Sequence, residues 1–329
     1  MKLHRWTCLF ALAAGCCATW VAPVSAVILL NNPVRNLSAP SGRLTDSGWQ
    51  WQGNFRNFAA TPVSKKFFVT AGHIGGGVGD RMRVGGRVFT TVRYWDDPNS
   101  DLRLYEVNKS FSSWAPMYTG RKEAGKHALI FGRGTQRGAE VSVNGRVGGW
   151  EWGGGDGQLS WGLNVIDAVV PGEQGEGDLL QFDFDSVAGG AIDQEGTLSI
   201  GDSAGGAFFW NRDLKRWELA GLHYSVDGPF SRTPGGQSFQ AAMFDMGGLY
   251  YGDSLVADSS VDVPQRFYAT RISSNMNWIM SVFRGQIAPT QSAQSISSGK
   301  ASVPEPSSVG AMVLAAGLLS RRVRRARNG

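Results

Sequence analysis

Short apolar runs with alternating polar positions recur along this chain, and turn-forming residues separate them. The runs are Phe67-Phe68-Val69-Thr70, Val88-Phe89-Thr90-Thr91-Val92, Leu102 to Val107, Leu129-Ile130-Phe131, Val141-Ser142-Val143, Leu163 to Val170, Ala207 to Trp210 and Trp217 to Leu222. Their two-residue period and their β-branched and aromatic content predict strands. One convincing helical spacing stands near the end, at Ile272, Met276, Ile279 and Met280. Many short strands and one helix predict an all-β domain, a sandwich or a barrel.

The first 26 residues have the pattern of a secretory signal peptide. Lys2 and Arg5 give a charged start, Leu9 to Ala18 is apolar, and Val24-Ser25-Ala26 is a small-residue cleavage site. We therefore expect residues 1–26 to be removed on export, so that the mature chain begins at Val27.

All the cysteines, Cys8, Cys16 and Cys17, lie in this leader. The domain that follows has none, and a core of about 250 residues buries enough apolar surface without disulfides. Leu12-Ala13-Ala14-Gly15-Cys16 is a degenerate lipoprotein box. We rank it below ordinary cleavage because Ala13 stands where a larger apolar residue is expected.

The other end carries three parts in order: Val303-Pro304-Glu305-Pro306, an apolar run from Val309 to Leu319, and five arginines within 321–327. This resembles a PEP-CTERM sorting tail, which implies processing by an exosortase-type enzyme after transient contact with the inner membrane. The apolar run has 11 residues, whereas a helix spanning a bilayer needs roughly 20. The arginines would stay on the cytoplasmic side. A weak tail anchor is the alternative interpretation.

The net charge of +5 comes from these two ends. Lys2, Arg5 and the five tail arginines are seven of the 32 basic residues, and Glu305 is one of the 27 acidic ones. The remainder holds 25 basic and 26 acidic residues and is nearly neutral. A nucleic-acid partner or a permanent acidic-membrane partner is therefore not expected.

Three motifs carry the chemistry: Val69-Thr70-Ala71-Gly72-His73, then Asp101 opening the strand Leu102–Val107, then Gly201-Asp202-Ser203-Ala204-Gly205-Gly206. A serine hydroxyl is a weak nucleophile, so a hydrolase that uses one needs a base in reach and donors for the oxyanion. A glycine-rich turn lets two backbone N–H groups converge without side chains intervening. Each motif alone is ordinary, but all of them in one order predict a nucleophilic site.

These strings resemble the motifs of the chymotrypsin/trypsin-like serine proteases, and they follow that family's order His, Asp, Ser. Phe267-Tyr268-Ala269-Thr270-Arg271-Ile272 followed by Asn277-Trp278-Ile279 is similar to the family's last strand and closing helix. The resemblance covers most of residues 55 to 284. It implies two six-stranded antiparallel barrels with a C-terminal helix and with the active site between the barrels.

The resemblance also implies the roles of the site residues. Ser203 attacks a carbonyl, His73 carries the proton, Asp101 orients the imidazole, and the N–H groups of Gly201 and Ser203 form the oxyanion hole. Ala204 departs from the family, which has glycine after the nucleophile.

For the substrate pocket the resemblance points to Thr197, His223 and Tyr224. Thr197 stands where an Asp would give basic specificity, so an uncharged pocket is expected, although Asp193 and Glu195 lie nearby. His223 either lines the pocket or pairs with a loop.

Asp202 raises a question of activation. In the resembled family this Asp pairs with a freed N-terminal amine, and cleavage after Ala26 would provide Val27 for that pairing. The favoured alternative is that Val27 to Leu30 forms an ordinary edge strand. In either case a buried Asp202 needs partners, because an unpaired buried charge is costly.

The rest of the chain gives a domain plan. We expect a signal peptide at 1–26, a trypsin-like domain at 27–284, a flexible linker at 285–302 and the sorting tail at 303–329. Asp227 to Val263 and Gly145 to Gly162 enlarge the second barrel, and their Trp150, Trp152 and Trp161 either bind substrate or sugar or pack the barrel ends.

The sequence thus predicts an exported serine endopeptidase that acts on protein or peptide substrates and uses no cofactor or metal. The alternatives are a non-enzymatic protease-like surface or matrix protein, and an esterase that uses the same residues.

Overall fold

The computed structural model describes residues 27–173 and 175–293. The predicted signal peptide and sorting tail lie outside these residues. The strands are β1 Ile28–Leu29, β2 Gly53–Phe55, β3 Phe58–Pro62, β4 Phe67–Ala71, β5 Arg81–Val84, β6 Arg87–Asp96, β7 Leu102–Val107, β8 His127–Gly132, β9 Thr135–Val143, β10 Arg146–Gly155, β11 Ser160–Val165, β12 Ala168–Pro171, β13 Asp178–Asp183, β14 Gly196–Thr197, β15 Gly206–Asn211, β16 Arg216–Val226, β17 Phe230–Ser231, β18 Ser238–Phe239, β19 Ala241–Met243, β20 Tyr250–Tyr251, β21 Ser254–Leu255, β22 Arg266–Arg271 and β23 Gln291–Ser292. The α-helix, α1, is Met276–Phe283, and short 3₁₀ turns stand at Gly42–Leu44, Trp49–Trp51, Gly72–Ile74 and Ser273–Asn275.

The first barrel is a closed sheet of six antiparallel strands. Its order is β6-β5-β2-β3-β4-β7, and β7 pairs back onto β6 to close it. Alternate side chains of these strands point inward and fill the interior with Phe55, Phe68, Met82, Phe89 and Tyr105. The predicted strands near residues 67, 88 and 102 fall on β4, β6 and β7.

The second barrel has the order β11-β8-β15-β16-β22-β13, with β12 added at the edge of β13. Where β11 and β13 approach, the Asn164 side-chain amide donates to the Asp183 carbonyl at 2.9 Å. Its interior holds Ile130, Leu180, Phe182, Phe209 and Phe267. The predicted all-β class with two antiparallel barrels and a C-terminal helix is confirmed.

A separate apolar core joins the two barrels. Along β15, Ala207 and Phe209 point into the second barrel, whereas Phe208 points outward and joins this interface core. The ring of Phe208 stacks on Trp51 at 6.0 Å and meets Phe131 edge-on at 5.8 Å. Residues of α1 also pack into the interface, so the helix closes the junction between the barrels.

The two predicted enlargements pack on each other. The hairpin β9–β10 pairs with β19, which lies in the long segment after β16 together with the small sheet β18-β17-β20-β21. Trp150 packs between Phe244, at 5.4 Å, and the Arg137 guanidinium, 3.7 Å from the ring centre. Trp161 donates its Nε1–H to the Ser38 carbonyl. These contacts favour the packing interpretation of the tryptophans.

The first residues of the segment predicted as a linker, 285–302, contact the first barrel. Gln291 and Ser292 form β23 on the edge of β6, and Trp95 donates its indole N–H to the Ile287 carbonyl at 3.0 Å. β5 pairs only with the first half of β6, so one side of the second half is left for the chain after the helix. Within the described residues, no helix is both long and apolar enough to cross a bilayer.

Phe208→Ala should lower the free energy of unfolding by about 3–5 kcal/mol, because it opens a cavity between the barrels. Trp210→Ala on the same strand is the control: its side chain is 43% exposed, so the expected loss is below about 1 kcal/mol. Urea unfolding of both variants measures the difference. Equal losses would contradict the assignment of Phe208 to the interface core.

Candidate active site

The pairing of β4 with β7 brings His73 and Asp101 together. Ala71 at the end of β4 lies opposite Leu102 at the start of β7. His73 follows in the 3₁₀ turn after β4, and Asp101 directly precedes β7. Because antiparallel strands place the end of one beside the start of the other, residues 28 apart in sequence become neighbours.

The Asp101 carboxylate holds His73 by two bonds. Its Oδ1 accepts the backbone N–H of His73 at 2.9 Å, and its Oδ2 lies 2.6 Å from His73 Nδ1. A carboxylate only accepts, so Nδ1 carries the proton and Nε2 of the neutral ring is the acceptor. Glycine at 72 permits this approach, since a Cβ there would stand 3.1 Å from Asp101 Oδ1.

Ser203 comes from the second barrel, in the loop between β14 and β15. Its Oγ lies 2.9 Å from His73 Nε2. With Nδ1 protonated, the serine hydroxyl donates to Nε2. The arrangement therefore supplies a hydroxyl, a base in hydrogen-bond reach and a carboxylate that orients the base.

The loop around Ser203 contains two residues with positive φ, Gly201 and Ala204. Gly201 has φ +96°, a conformation that side chains disfavour, and a Cβ there would approach Gly134 Cα at 3.0 Å. Among the described residues, neither the Gly201 nor the Ser203 N–H donates to a protein acceptor. Ala204 adopts φ +62°, and its buried methyl group packs in the first barrel's core.

The three predicted pocket residues occupy different depths. Thr197 is fully buried on β14, paired with Ile28, and its hydroxyl has no partner within the described part of the chain. His223 is 1% exposed behind the Ser203 loop, with its ring edge-on to Phe267 at 6.2 Å. Burial lowers its pKa to about 3, so the ring is neutral. Neither side chain reaches an open cleft.

Tyr224 is the pocket residue that reaches the site. It is partly exposed, and its ring meets that of His73 edge-on, with 5.9 Å between centres. The resemblance to the protease family named Thr197, His223 and Tyr224 as pocket residues. It carried no information about the layers that cover Thr197 and His223.

Asp202 is buried and surrounded by donors. Its carboxylate accepts the N–H of Gly134 at 2.8 Å and both the N–H and the hydroxyl of Ser199, at 2.7 and 2.9 Å. The backbone N of Val27 lies 3.4 Å from Oδ1. Burial nevertheless raises the pKa of Asp202 to about 6. The sequence identified Asp202 and Val27 but missed Gly134 and Ser199.

The N-terminal segment forms the short strand that was the favoured alternative, and its first residue also lies near Asp202. Ile28 and Leu29 pair with β14 as a short strand, while Val27 reaches Asp202. Arg137 of the hairpin donates to the carbonyls of Leu29 and Leu30. Val27 to Leu30 are all buried.

We compared the chain with protein families, curated proteins and solved structures. No protein-family model matches the chain, and no curated protein matches it. Among solved structures it is similar to neuropsin, described as a serine protease expressed in the limbic system of mouse brain, with 14% identity and a TM-score of 0.43. The match covers 72% of this chain and 96% of that chain. A likeness this distant says nothing about the reaction, which the local geometry must support.

A chain that begins at Val27 should be more stable than one with Gly-Ser added before it. The α-ammonium of Val27 would neutralise Asp202, whereas an amide leaves a buried charge that costs about 1–3 kcal/mol. In the extended chain, burial raises the pKa of Asp202 from 3.8 to about 6. The folded state therefore favours the protonated carboxyl, and the stability that this form gives at low pH is lost as the pH rises through about 6. The gap between the chains, measured by urea unfolding, should therefore be wide at about pH 7.5 and small at about pH 4.

Asp202→Asn is the matched control, because its amide carries no charge at either pH. In the Asp202→Asn background, the difference in the free energy of unfolding between the two chain lengths should be the same at both pH values. A gap between the Asp202 chains that does not change with pH would show that the donors from Gly134 and Ser199 suffice to hold the carboxylate.

Proposed function

We propose that this protein is a serine-type endopeptidase in which Ser203, His73 and Asp101 act as one unit. The observation that carries the proposal is the continuous line of bonds from Asp101 Oδ2 to His73 Nδ1 and from His73 Nε2 to Ser203 Oγ. Serine, imidazole and carboxylate in this arrangement activate the hydroxyl for attack on a carbonyl. The all-β fold that places them is consistent with that function.

The proposed reaction has two halves. Ser203 Oγ bonds to the peptide carbonyl carbon while its proton moves to His73 Nε2, and Asp101 stabilises the resulting imidazolium. The Gly201 and Ser203 N–H groups stabilise the oxyanion. His73 then protonates the leaving amine, the C–N bond breaks, and an acyl-serine remains. Water, deprotonated by His73, attacks the acyl carbon and releases Ser203 with its proton restored.

We further propose that the site accepts uncharged side chains. The proposal rests on the sequence, in which Thr197 stands where an Asp would give basic specificity. The buried Thr197 and His223 do not themselves line an open cleft. Export and sorting by the two ends complete the proposal and rest on the sequence of those ends.

Ser203→Ala should abolish labelling by a fluorophosphonate probe, since the probe phosphorylates an activated serine. Because the members of the unit are not additive, Ser203→Ala and the double variant with His73→Ala should lose similar amounts of peptide hydrolysis. Both variants should still hydrolyse peptides about 10³-fold faster than the uncatalysed reaction, because the oxyanion donors and substrate binding remain.

Ser113→Ala, at an exposed serine, is the control and should be labelled like the wild type. Labelling that persists in Ser203→Ala would contradict the assignment of Ser203 as the nucleophile. A labelled protein that hydrolyses esters but no peptide library would favour the esterase alternative.

A further inference from the structure

Tyr224 connects the two halves of the site in a way that the proposed reaction does not use. It lies on β16 of the second barrel, while His73 belongs to the first. The two rings meet at 74° with their centres 5.9 Å apart. An edge-on contact at this distance is attractive and restricts both rings. The imidazole is thus bounded by Asp101 at Nδ1, by Ser203 at Nε2 and by Tyr224 against its ring.

The far end of Tyr224 is anchored as well. Its hydroxyl donates a short hydrogen bond to Glu176 Oε1, in the turn between β12 and β13. That turn lies against the loop before Asp101, since a Cβ on Gly177 would stand 2.7 Å from the Asn99 carbonyl. The tyrosine ring is therefore fixed between Glu176 and His73.

The charges around Tyr224 keep it a neutral donor. Burial is the main factor that raises its pKa, and the carboxylates of Glu176, Asp101 and Glu173 raise it further. A neutral O–H beside an ionised carboxylate forms a charge-assisted bond, which is stronger than one between neutral groups. Glu176 therefore holds the ring in one orientation.

We infer that Tyr224 is a positioning residue for His73: its ring keeps the imidazole directed at Ser203, and Glu176 fixes the ring. The side chain of His73 is 30% exposed on a short turn, so without Tyr224 the imidazole has room to rotate toward solvent. The inference rests on the proposed serine-hydrolase function and extends it. A residue that only walls the cleft would affect substrate binding and leave activation of Ser203 intact.

The experiment compares Tyr224→Ala, Tyr224→Phe, Glu176→Ala and Glu176→Gln in the full chain, each checked for folding by circular dichroism. Tyr224→Ala should slow both fluorophosphonate labelling and kcat by about 10–100-fold, because a misplaced base costs that much, with KM changed by less than about threefold.

Tyr224→Phe keeps the ring and should recover most of the loss. Glu176→Ala should resemble Tyr224→Phe, and Glu176→Gln should restore part of its effect by keeping an acceptor. Tyr250→Ala, at a partly buried tyrosine of the small sheet, controls for loss of a ring.

The outcomes separate the two proposals. No labelling of the wild-type protein overturns the serine-hydrolase function and this inference with it. Labelling of the wild type but not of Ser203→Ala, together with normal labelling of Tyr224→Ala, overturns the inference alone. A rise in KM without slower labelling also overturns it and makes Tyr224 a cleft wall. If Tyr224→Ala fails to fold, Tyr224→Leu takes its place, and normal labelling of a folded Tyr224→Leu overturns the inference.

Discussion

The apolar contact between the two barrels is the constraint on which the site depends. Ser203 stands on one barrel and His73 on the other, and their atoms are 2.9 Å apart. No backbone pairing joins the strands that carry them, so the packing of side chains such as Phe208, Phe131 and Val69 sets the distance. Close-packed interiors resist such displacement, because small shifts either open voids or cause overlaps.

The buried carboxylate of Asp202 adds a second constraint next to the nucleophile. A charge without solvent must be surrounded by donors. Ser199 donates from the same loop, whereas Gly134 and Val27 come from distant parts of the chain. These contacts link the Ser203 loop to the N-terminal segment.

The enlargements of the second barrel pack on the N-terminal segment, Val27 to Leu30. The hairpin β9–β10 supplies Arg137, which binds the carbonyls of Leu29 and Leu30, and the same guanidinium lies on Trp150. The long segment after β16 contributes Phe244 against the other side of that indole. The tryptophan-rich region thus covers the N-terminal strand, and a region that looks like a ligand-binding loop in sequence has a packing role in the fold.

The sequence by itself determined the strand pattern, the helix that follows the last barrel strand and the candidate residues of the site. It could do so because a period of two residues defines an apolar face, and because a serine site requires particular residue types in glycine-rich turns. The order of His73, Asp101 and Ser203 along the chain sufficed to propose the reaction.

Only the tertiary structure decided what covers each apolar face. Val27 meets Asp202 across 175 residues, and Tyr224 meets Glu176 across 48. The sequence named Thr197 and His223 as pocket residues by resemblance, but their depth depends on neighbours that come from elsewhere in the chain. Local pattern specifies which side of an element is apolar, whereas long-range packing specifies its partner, and in this protein those partners surround His73 and the Ser203 loop.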